Sequence, residues 1–92
     1  MLGLYKFQVY YGSMGRVEAL FVEDQDVVKN AVGRNVYFGE ILGKHSEVYF
    51  NLEADHFKLL TDDQEFCKRF EELKLETGYN PFNYFPKGED EI

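Results

Sequence analysis

The sequence predicts a single α+β domain, a mostly antiparallel sheet of about five strands with two helices on one face, in the order β-β-α-β-β-β-α. Three observations support this prediction. Several short segments alternate apolar and polar residues with the period of two that is typical of strands. Two other segments repeat apolar residues at helical spacing, behind residues that favour a helix start. Short turn-forming segments connect most of the strands, which favours antiparallel pairing.

The first two predicted strands are residues 4–11 and 16–22. In both, apolar side chains occupy every second position, so each strand has an apolar face. The segment Gly12-Ser13-Met14-Gly15 separates them, and we expect an antiparallel hairpin. This segment lacks the glycine spacing of a nucleotide-binding loop and leads into a strand, so it is interpreted as a turn only.

The two predicted helices begin at capping residues. Asp24 is placed to cap a short first helix that ends at Gly33. Residues 61–64, Thr-Asp-Asp-Gln, have capping-box spacing, and the second helix is predicted to run from there to about Leu75. Spacing of i, i+4 and i+7 predicts that its buried face is formed by Phe66, Phe70 and Leu73.

Three more strands are predicted between the helices. Residues 36–42 and 47–52 form a second hairpin, in which Tyr49 and Asn51 face outward. Residues 56–60 form a brief strand at an edge of the sheet. The core predicted from all of these elements contains Phe7, Val9, Phe21, Phe38, Val48, Phe50, Phe66 and Phe70.

The end of the chain is predicted to be irregular. Residues 79–86 contain both prolines and four aromatic residues, which excludes a regular helix but favours packing back onto the domain. The domain therefore covers residues 1–86, and residues 87–92 form a frayed acidic end. The alternative is a protein-binding patch made of Tyr79, Phe82, Tyr84 and Phe85.

Charge and cysteine content restrict the possible partners. Ten basic and seventeen acidic residues give a net charge of −7, which disfavours direct binding to the phosphates of nucleic acid. The single cysteine, Cys67, allows no intrachain disulfide. The sequence shows neither an export signal nor a long apolar run, so we expect a cytoplasmic protein that does not bind a membrane.

The densest polar cluster lies at the predicted tip of the second hairpin. A cation, an imidazole and a hydroxyl stand beside a glycine there, so the tip could bind an anion or a partner's carboxylate. A solvated turn with ordinary turn residues is the competing interpretation. The candidate binding residues are Glu40, Gly43, Lys44, His45, Ser46 and Glu47.

Catalytic and metal chemistry find little support in the sequence. Glu53, Asp55 and His56 are close in sequence, but neighbours on a strand point to opposite faces and no second histidine stands at ligand spacing. Cys67 is expected to be a partly buried, unreactive thiol. We therefore predict no catalytic residue, no metal and no cofactor.

The second half of the chain carries most of the negative charge. The candidate acidic surface consists of Asp62, Asp63, Glu71 and Glu76. Carboxylates that imitate DNA phosphates are one interpretation of this surface. The other is an ordinary solvated helix face, because Glu65 and Arg69, and Lys68 and Glu72, stand at the i,i+4 spacing of ion pairs.

Three stretches carry a resemblance to a known group of proteins: residues 10–22, which begin Tyr-Tyr-Gly-Ser-Met-Gly-Arg, residues 36–48, which read VYFGEILGKHSEV, and residues 78–82, which read GYNPF. In these stretches the chain resembles small uncharacterised proteins encoded by bacteriophages and related bacterial elements. The resemblance implies a phage-like origin and a location in the host-cell cytoplasm, and it transfers no catalytic residue. Small acidic phage proteins often act by occupying a host or defence protein.

These observations predict a non-catalytic binding protein, an inhibitor that occupies a host or defence protein through the second hairpin tip and the acidic side of the second helix. Two alternatives stay open. One is a small-molecule or nucleotide-binding module in which Lys44, His45 and Ser46 donate to an anion. The other is the acidic DNA mimic.

Overall fold

The computed structural model describes residues 1–43 and 47–85, and over these residues it confirms the α+β class. The described strands are antiparallel and divide between two sheets. Short 3-10 turns at Gly12–Met14, Ala54–His56 and Pro81–Asn83 connect or follow them. The main elements are β1 (Leu2–Tyr10), β2 (Arg16–Asp24), α1 (Gln25–Ala31), β3 (Asn35–Gly39), β4 (Val48–Asn51), β5 (Phe57–Thr61), α2 (Gln64–Glu72) and β6 (Thr77–Gly78).

The larger sheet has four strands in the order β5-β1-β2-β6. Its centre is the predicted first hairpin, in which β1 and β2 pair from Leu2 opposite Asp24 to Tyr10 opposite Arg16. β5 lies at one edge, as predicted, and pairs with β1. At the other edge β6 pairs with β2 and was not predicted, because a strand of two residues is too short to show an alternation pattern.

The second hairpin forms a sheet of its own. β3 and β4 pair with each other, so the strands do not join the one sheet that the sequence predicted. Alternation shows which side chains of a strand are buried, but it does not identify the neighbouring strand. β3 also ends earlier than predicted, at Gly39 with a φ of 78°, and Ile41 and Leu42 leave the strand to pack against the core.

The main core lies between the two sheets. One face of the β1–β2 hairpin packs against the inner face of β3–β4, and the ring of Phe7 lies 6.4 Å from that of Phe38 and 6.5 Å from that of Phe50, centroid to centroid. Phe50 is only partly buried. The predicted core residues that the structure confirms as buried are Phe7, Val9, Phe21, Phe38, Val48 and Phe70.

The two helices lie on opposite faces of the larger sheet, so their predicted placement on one face is wrong. α1 contributes Val28 and Ala31 to the main core, whereas α2 packs on a second cluster that includes Leu4 and Val22. Successive residues of a strand point to opposite faces, and both faces of β1 and β2 carry apolar residues near Leu4. The apolar residues of the second face, which include Leu4 and Val22, give α2 a surface to pack against, so one helix lies on each face of the sheet.

The buried face of α2 also differs from the prediction. Cys67 and Phe70 face the sheet, whereas Phe66 is 51 % exposed and is not a core residue. The cap is Asp63, whose carboxylate accepts a hydrogen bond from the Phe66 amide at 3.1 Å. The helix ends at Glu72, earlier than predicted, and Lys74 follows with a left-handed φ of 53°. Contact with Leu4 and Val22 of the sheet selects the stripe that contains Cys67 instead of Phe66.

The aromatic segment after β6 packs onto the main core, as predicted. Phe82 contacts Phe21 with ring centroids 5.8 Å apart, and Tyr84 contacts Phe38 at 4.8 Å. The Tyr84 carbonyl also accepts a hydrogen bond from the Tyr37 amide at 3.1 Å, so the segment lies alongside β3. Residues 86–92, which include the predicted frayed end, lie outside the described residues.

Candidate functional site

The predicted site at the hairpin tip is only partly described. Lys44, His45 and Ser46 lie outside the described residues, so their predicted role stays a prediction. Gly43 is exposed, with open space around the position that a Cβ would occupy. Glu47 resumes the described chain directly before β4, and Glu47 and Glu40 are both exposed.

Glu47 connects the tip to two tyrosines. Its backbone carbonyl accepts a hydrogen bond from the Tyr11 hydroxyl at 3.4 Å, which ties the second hairpin to the end of β1. Its carboxylate lies close to the hydroxyl of Tyr37. Partial desolvation, the interaction of the hydroxyl with this carboxylate and the negative charges of Glu47 and Glu40 together raise the pKa of the Tyr37 hydroxyl. Tyr37 therefore stays a neutral hydrogen-bond donor at physiological pH.

The outer face of the β3–β4 hairpin presents two cross-strand pairs to solvent. Tyr37 and Tyr49 stand directly opposite each other, with ring centroids 6.5 Å apart and ring planes 23° from parallel. The next pair is Asn35 and Asn51, whose side-chain amides are hydrogen-bonded at 3.2 Å. With Glu47 at the tip end, these residues form a surface that we call the tyrosine face: Asn35, Tyr37, Glu47, Tyr49 and Asn51.

The alternation of the two strands creates this face. Val36 and Val48 turn inward and are fully buried, so the odd-numbered side chains must turn outward. Tyr37 is 44 % exposed and Tyr49 is 54 % exposed. The outward direction of Tyr49 and Asn51 was predicted, but the role of Tyr37 was missed. The signal for it was present in the sequence, because antiparallel pairing of the two strands places one tyrosine opposite the other.

The predicted acidic surface divides into two parts. Asp62, Asp63 and Glu71 lie close enough to Cys67 for their charges to raise the pKa of its thiol. Asp63 also caps α2. Glu76 belongs to another contact, since its carboxylate accepts a hydrogen bond from the Asn80 side chain at 3.4 Å. The four carboxylates therefore do not act on one common group.

Cys67 and His56, which the sequence analysis considered for catalysis or metal binding, both make structural contacts in the fold. Cys67 is fully buried, and the loss of water around the thiol is the main reason that its pKa is raised. His56 accepts a hydrogen bond at Nδ1 from the backbone amide of Glu53 and closes a capping box on the short turn. Across residues 1–43 and 47–85, no group of three or more His, Cys, Asp or Glu side chains is placed to hold a metal ion.

Comparison with protein-family models, with curated proteins and with solved structures found no match to this chain. In the part of the chain that the structure describes, no helix is both long and apolar enough to cross a membrane. The structure itself therefore defines the protein as an α+β domain whose second hairpin exposes a stacked tyrosine pair beside carboxylates.

Proposed function

We propose that this protein is a non-catalytic binding protein that occupies a host or defence protein, as a phage-type inhibitor would, and that it binds through the tyrosine face. The observation that carries the proposal is the exposed, stacked pair of Tyr37 and Tyr49. Tyrosine is enriched in the cores of protein interfaces, where its ring contributes apolar contact and its hydroxyl a hydrogen bond.

The geometry of the pair favours binding at a low entropic cost. Each ring restricts the other by stacking, and the Glu47 carboxylate lies close to the Tyr37 hydroxyl. A partner therefore has less side-chain freedom to remove than it would at two isolated tyrosines. The strands beneath are held by buried Val36 and Val48, so the surface is also supported from below.

The charge beside the tyrosines indicates the kind of partner. Glu40 and Glu47 place negative charge at one end of the face, on a chain with a net charge of −7. An arginine of a basic partner can stack on a tyrosine ring and pair with a carboxylate at the same time. We therefore propose a partner with a basic surface, which also agrees with the sequence-based expectation that negative charge contributes to binding.

Two alternatives are kept as predictions. The ligand-binding module at the tip depends on Lys44, His45 and Ser46, which lie outside the described residues. The DNA mimic draws its support from Asp62, Asp63 and Glu71, whose negative charges all act on Cys67. The phage-like origin and the cytoplasmic location likewise remain predictions from the sequence.

The proposal is tested by affinity capture from a bacterial host lysate, followed by measured binding of the purified partner to variants. Tyr49→Ala is expected to weaken binding by about 2 kcal/mol or more, as for an interface hot spot. The matched control is Tyr10→Ala, because Tyr10 is 71 % exposed but belongs to the other sheet. Circular dichroism should show that both variants keep the fold.

Salt dependence tests the charge of the partner. Binding to a basic surface should weaken as ionic strength rises, and Glu47→Gln should flatten that dependence. If Tyr10→Ala and Tyr49→Ala reduced binding equally, or if neither did, the tyrosine face would not be the binding surface.

A further inference from the structure

In the part of the chain that the structure describes, α2 covers only one end of the face of the larger sheet on which it lies. α2 packs over the cluster that includes Leu4 and Val22, toward one end of the β1–β2 hairpin. Further along the strands, the same face carries polar residues on three neighbouring strands. These residues are Lys6, Gln8 and Tyr10 of β1, Arg16 and Glu18 of β2, and Lys58 of β5.

Two lysines stand side by side at the centre of this uncovered region. Lys6 and Lys58 are direct cross-strand partners, and both are exposed. Like charges placed directly opposite each other on a sheet repel, which weakens strand pairing. Among the described residues, neither ammonium group has a carboxylate partner to offset this repulsion. An anion bound between them would offset it.

Hollows on both sides of Lys6 provide room for a ligand. One, of about 500 Å³, extends across β2 to β6 and is lined by Lys6, Arg16 and Thr77 among others. The second, of about 350 Å³, extends toward β5 and is lined by Lys6, Lys58 and Gln8 among others. We call the two hollows together the lysine trough. Its ammonium, guanidinium, amide and hydroxyl groups can all donate hydrogen bonds to an oxyanion.

Acidic residues limit the length of any anion that fits. Glu18 in the first hollow pairs with Arg16 at 3.1 Å and accepts a hydrogen bond from Gln8 at 3.2 Å. Asp55 lines the second hollow. Among the described residues that line the trough, unpaired positive charge is therefore confined to Lys6 and Lys58, which matches one or two phosphate groups better than the repeated phosphates of a nucleic acid strand.

We propose that the lysine trough is a binding site for a small phosphate-bearing ligand, with Lys6 and Lys58 holding one phosphate group between them. The site is separate from the tyrosine face, which lies on the other sheet. It does not depend on the protein partner proposed above.

The test is a titration of the isotopically labelled chain, followed by the shifts of its backbone amide signals in NMR spectra. Inorganic pyrophosphate is the first probe, and ADP shows whether a nucleoside adds affinity. Shifts are expected at residues 6–8 and 57–59. Lys6→Gln and Lys58→Gln should each weaken pyrophosphate binding about tenfold, because each removes a charge-assisted hydrogen bond.

The matched control is Lys29→Gln, which removes the same charge from α1 on the other side of the sheet. It should leave pyrophosphate binding unchanged. An equal loss in the Lys29→Gln variant would show general screening and overturn the site. So would the absence of saturable shifts at residues 6–8 and 57–59. A ten-residue oligothymidylate that bound more tightly than ADP and pyrophosphate would replace the small-ligand proposal with a nucleic-acid surface.

Discussion

Two sheet faces point away from the shared core, and they differ in chemistry. The outer face of the four-stranded sheet is covered by α2 at one end. Beyond α2 it carries Lys6 and Lys58, which are cross-strand neighbours without a carboxylate partner among the described residues. The outer face of the two-stranded sheet has tyrosine and asparagine pairs beside carboxylates. We propose a small anion as the ligand of the first face and a basic protein surface as the partner of the second. The comparison shows that one small core can support two outer surfaces of different chemistry.

The largest expected effect comes from the core that both faces share. Phe7 is fully buried between the sheets and contacts the rings of Phe38, Phe50 and Phe57. Phe7→Ala should lower the free energy of unfolding by about 3–5 kcal/mol, because it removes apolar contacts and leaves a cavity. Urea denaturation measures this loss. A value below about 1 kcal/mol would mean that the sheets do not pack together through this ring.

The next prediction concerns the helix that covers part of the first face. Phe70→Ala should lower the free energy of unfolding by about 3 kcal/mol, because Phe70 is buried against the sheet. Phe66→Ala, its neighbour one turn earlier, should cost less than about 1 kcal/mol because half of that side chain is already exposed. Losses of about 3 kcal/mol in both variants would restore the helix face that the sequence predicted, which contained Phe66 and Phe70 together.

The same helix shows how far the sequence could predict the fold. The 3.6-residue period and the Asp-rich start correctly predicted that a helix exists. Both Phe66 and Cys67 fit an apolar stripe around Phe70, however, and only contact with Leu4 and Val22 of the sheet selects the stripe that contains Cys67. Alternation likewise predicted inward and outward residues correctly in both hairpins, but it could not show that β3 and β4 form a separate sheet.

The binding surfaces were less predictable, for a similar reason. Glu47 was identified from the density of polar residues near the tip, and Tyr49 was placed on the outer face by alternation. The stacking of Tyr49 on Tyr37 depends on the cross-strand register. The pairing of Lys6 with Lys58 joins residues that are distant in sequence, and it becomes visible only when β5 is placed beside β1.

The edge of the four-stranded sheet provides the third prediction. Gly78 has a φ of 80°, and a Cβ there would stand 2.1 Å from the Glu18 carbonyl oxygen. Gly78→Ala should therefore cost about 2 kcal/mol or more in the free energy of unfolding, through backbone strain and a clash with β2. Gly33→Ala is the control, since Gly33 has a φ of 95° but no atom within 4 Å of the Cβ position. An equal loss in both variants would exclude the clash.

The smallest expected effect is the pH dependence due to Asp24. Its carboxylate accepts hydrogen bonds from the terminal amino group of Met1 at 3.2 Å and from the Asp26 amide at 2.8 Å, and these bonds lower its pKa below the usual 3.8. The stabilisation is therefore complete above pH 3.8 and is lost as the pH falls through the lowered pKa. Asp24→Asn keeps an acceptor but removes the charge.

Thermal unfolding between pH 7 and pH 2 measures this contribution. The difference in Tm between the wild type and Asp24→Asn should be constant near neutral pH and should shrink below about pH 4, where Asp24 is protonated first in the unfolded chain and then, at its lowered pKa, in the folded protein. A difference that stayed constant down to pH 2 would show that the charge of Asp24 does not contribute to stability.

The tyrosine face is tested most directly by mapping the captured partner onto the chain. Amide hydrogen exchange of the complex, compared with that of the free protein, locates the contact surface without any mutation. We expect added protection at residues 35–37 and 47–51, where the tyrosine pair lies. Added protection confined to residues 62–76, or to residues 6–8 and 57–59, would place the partner on the acidic helix or on the lysine trough and would contradict the proposed function of the tyrosine face.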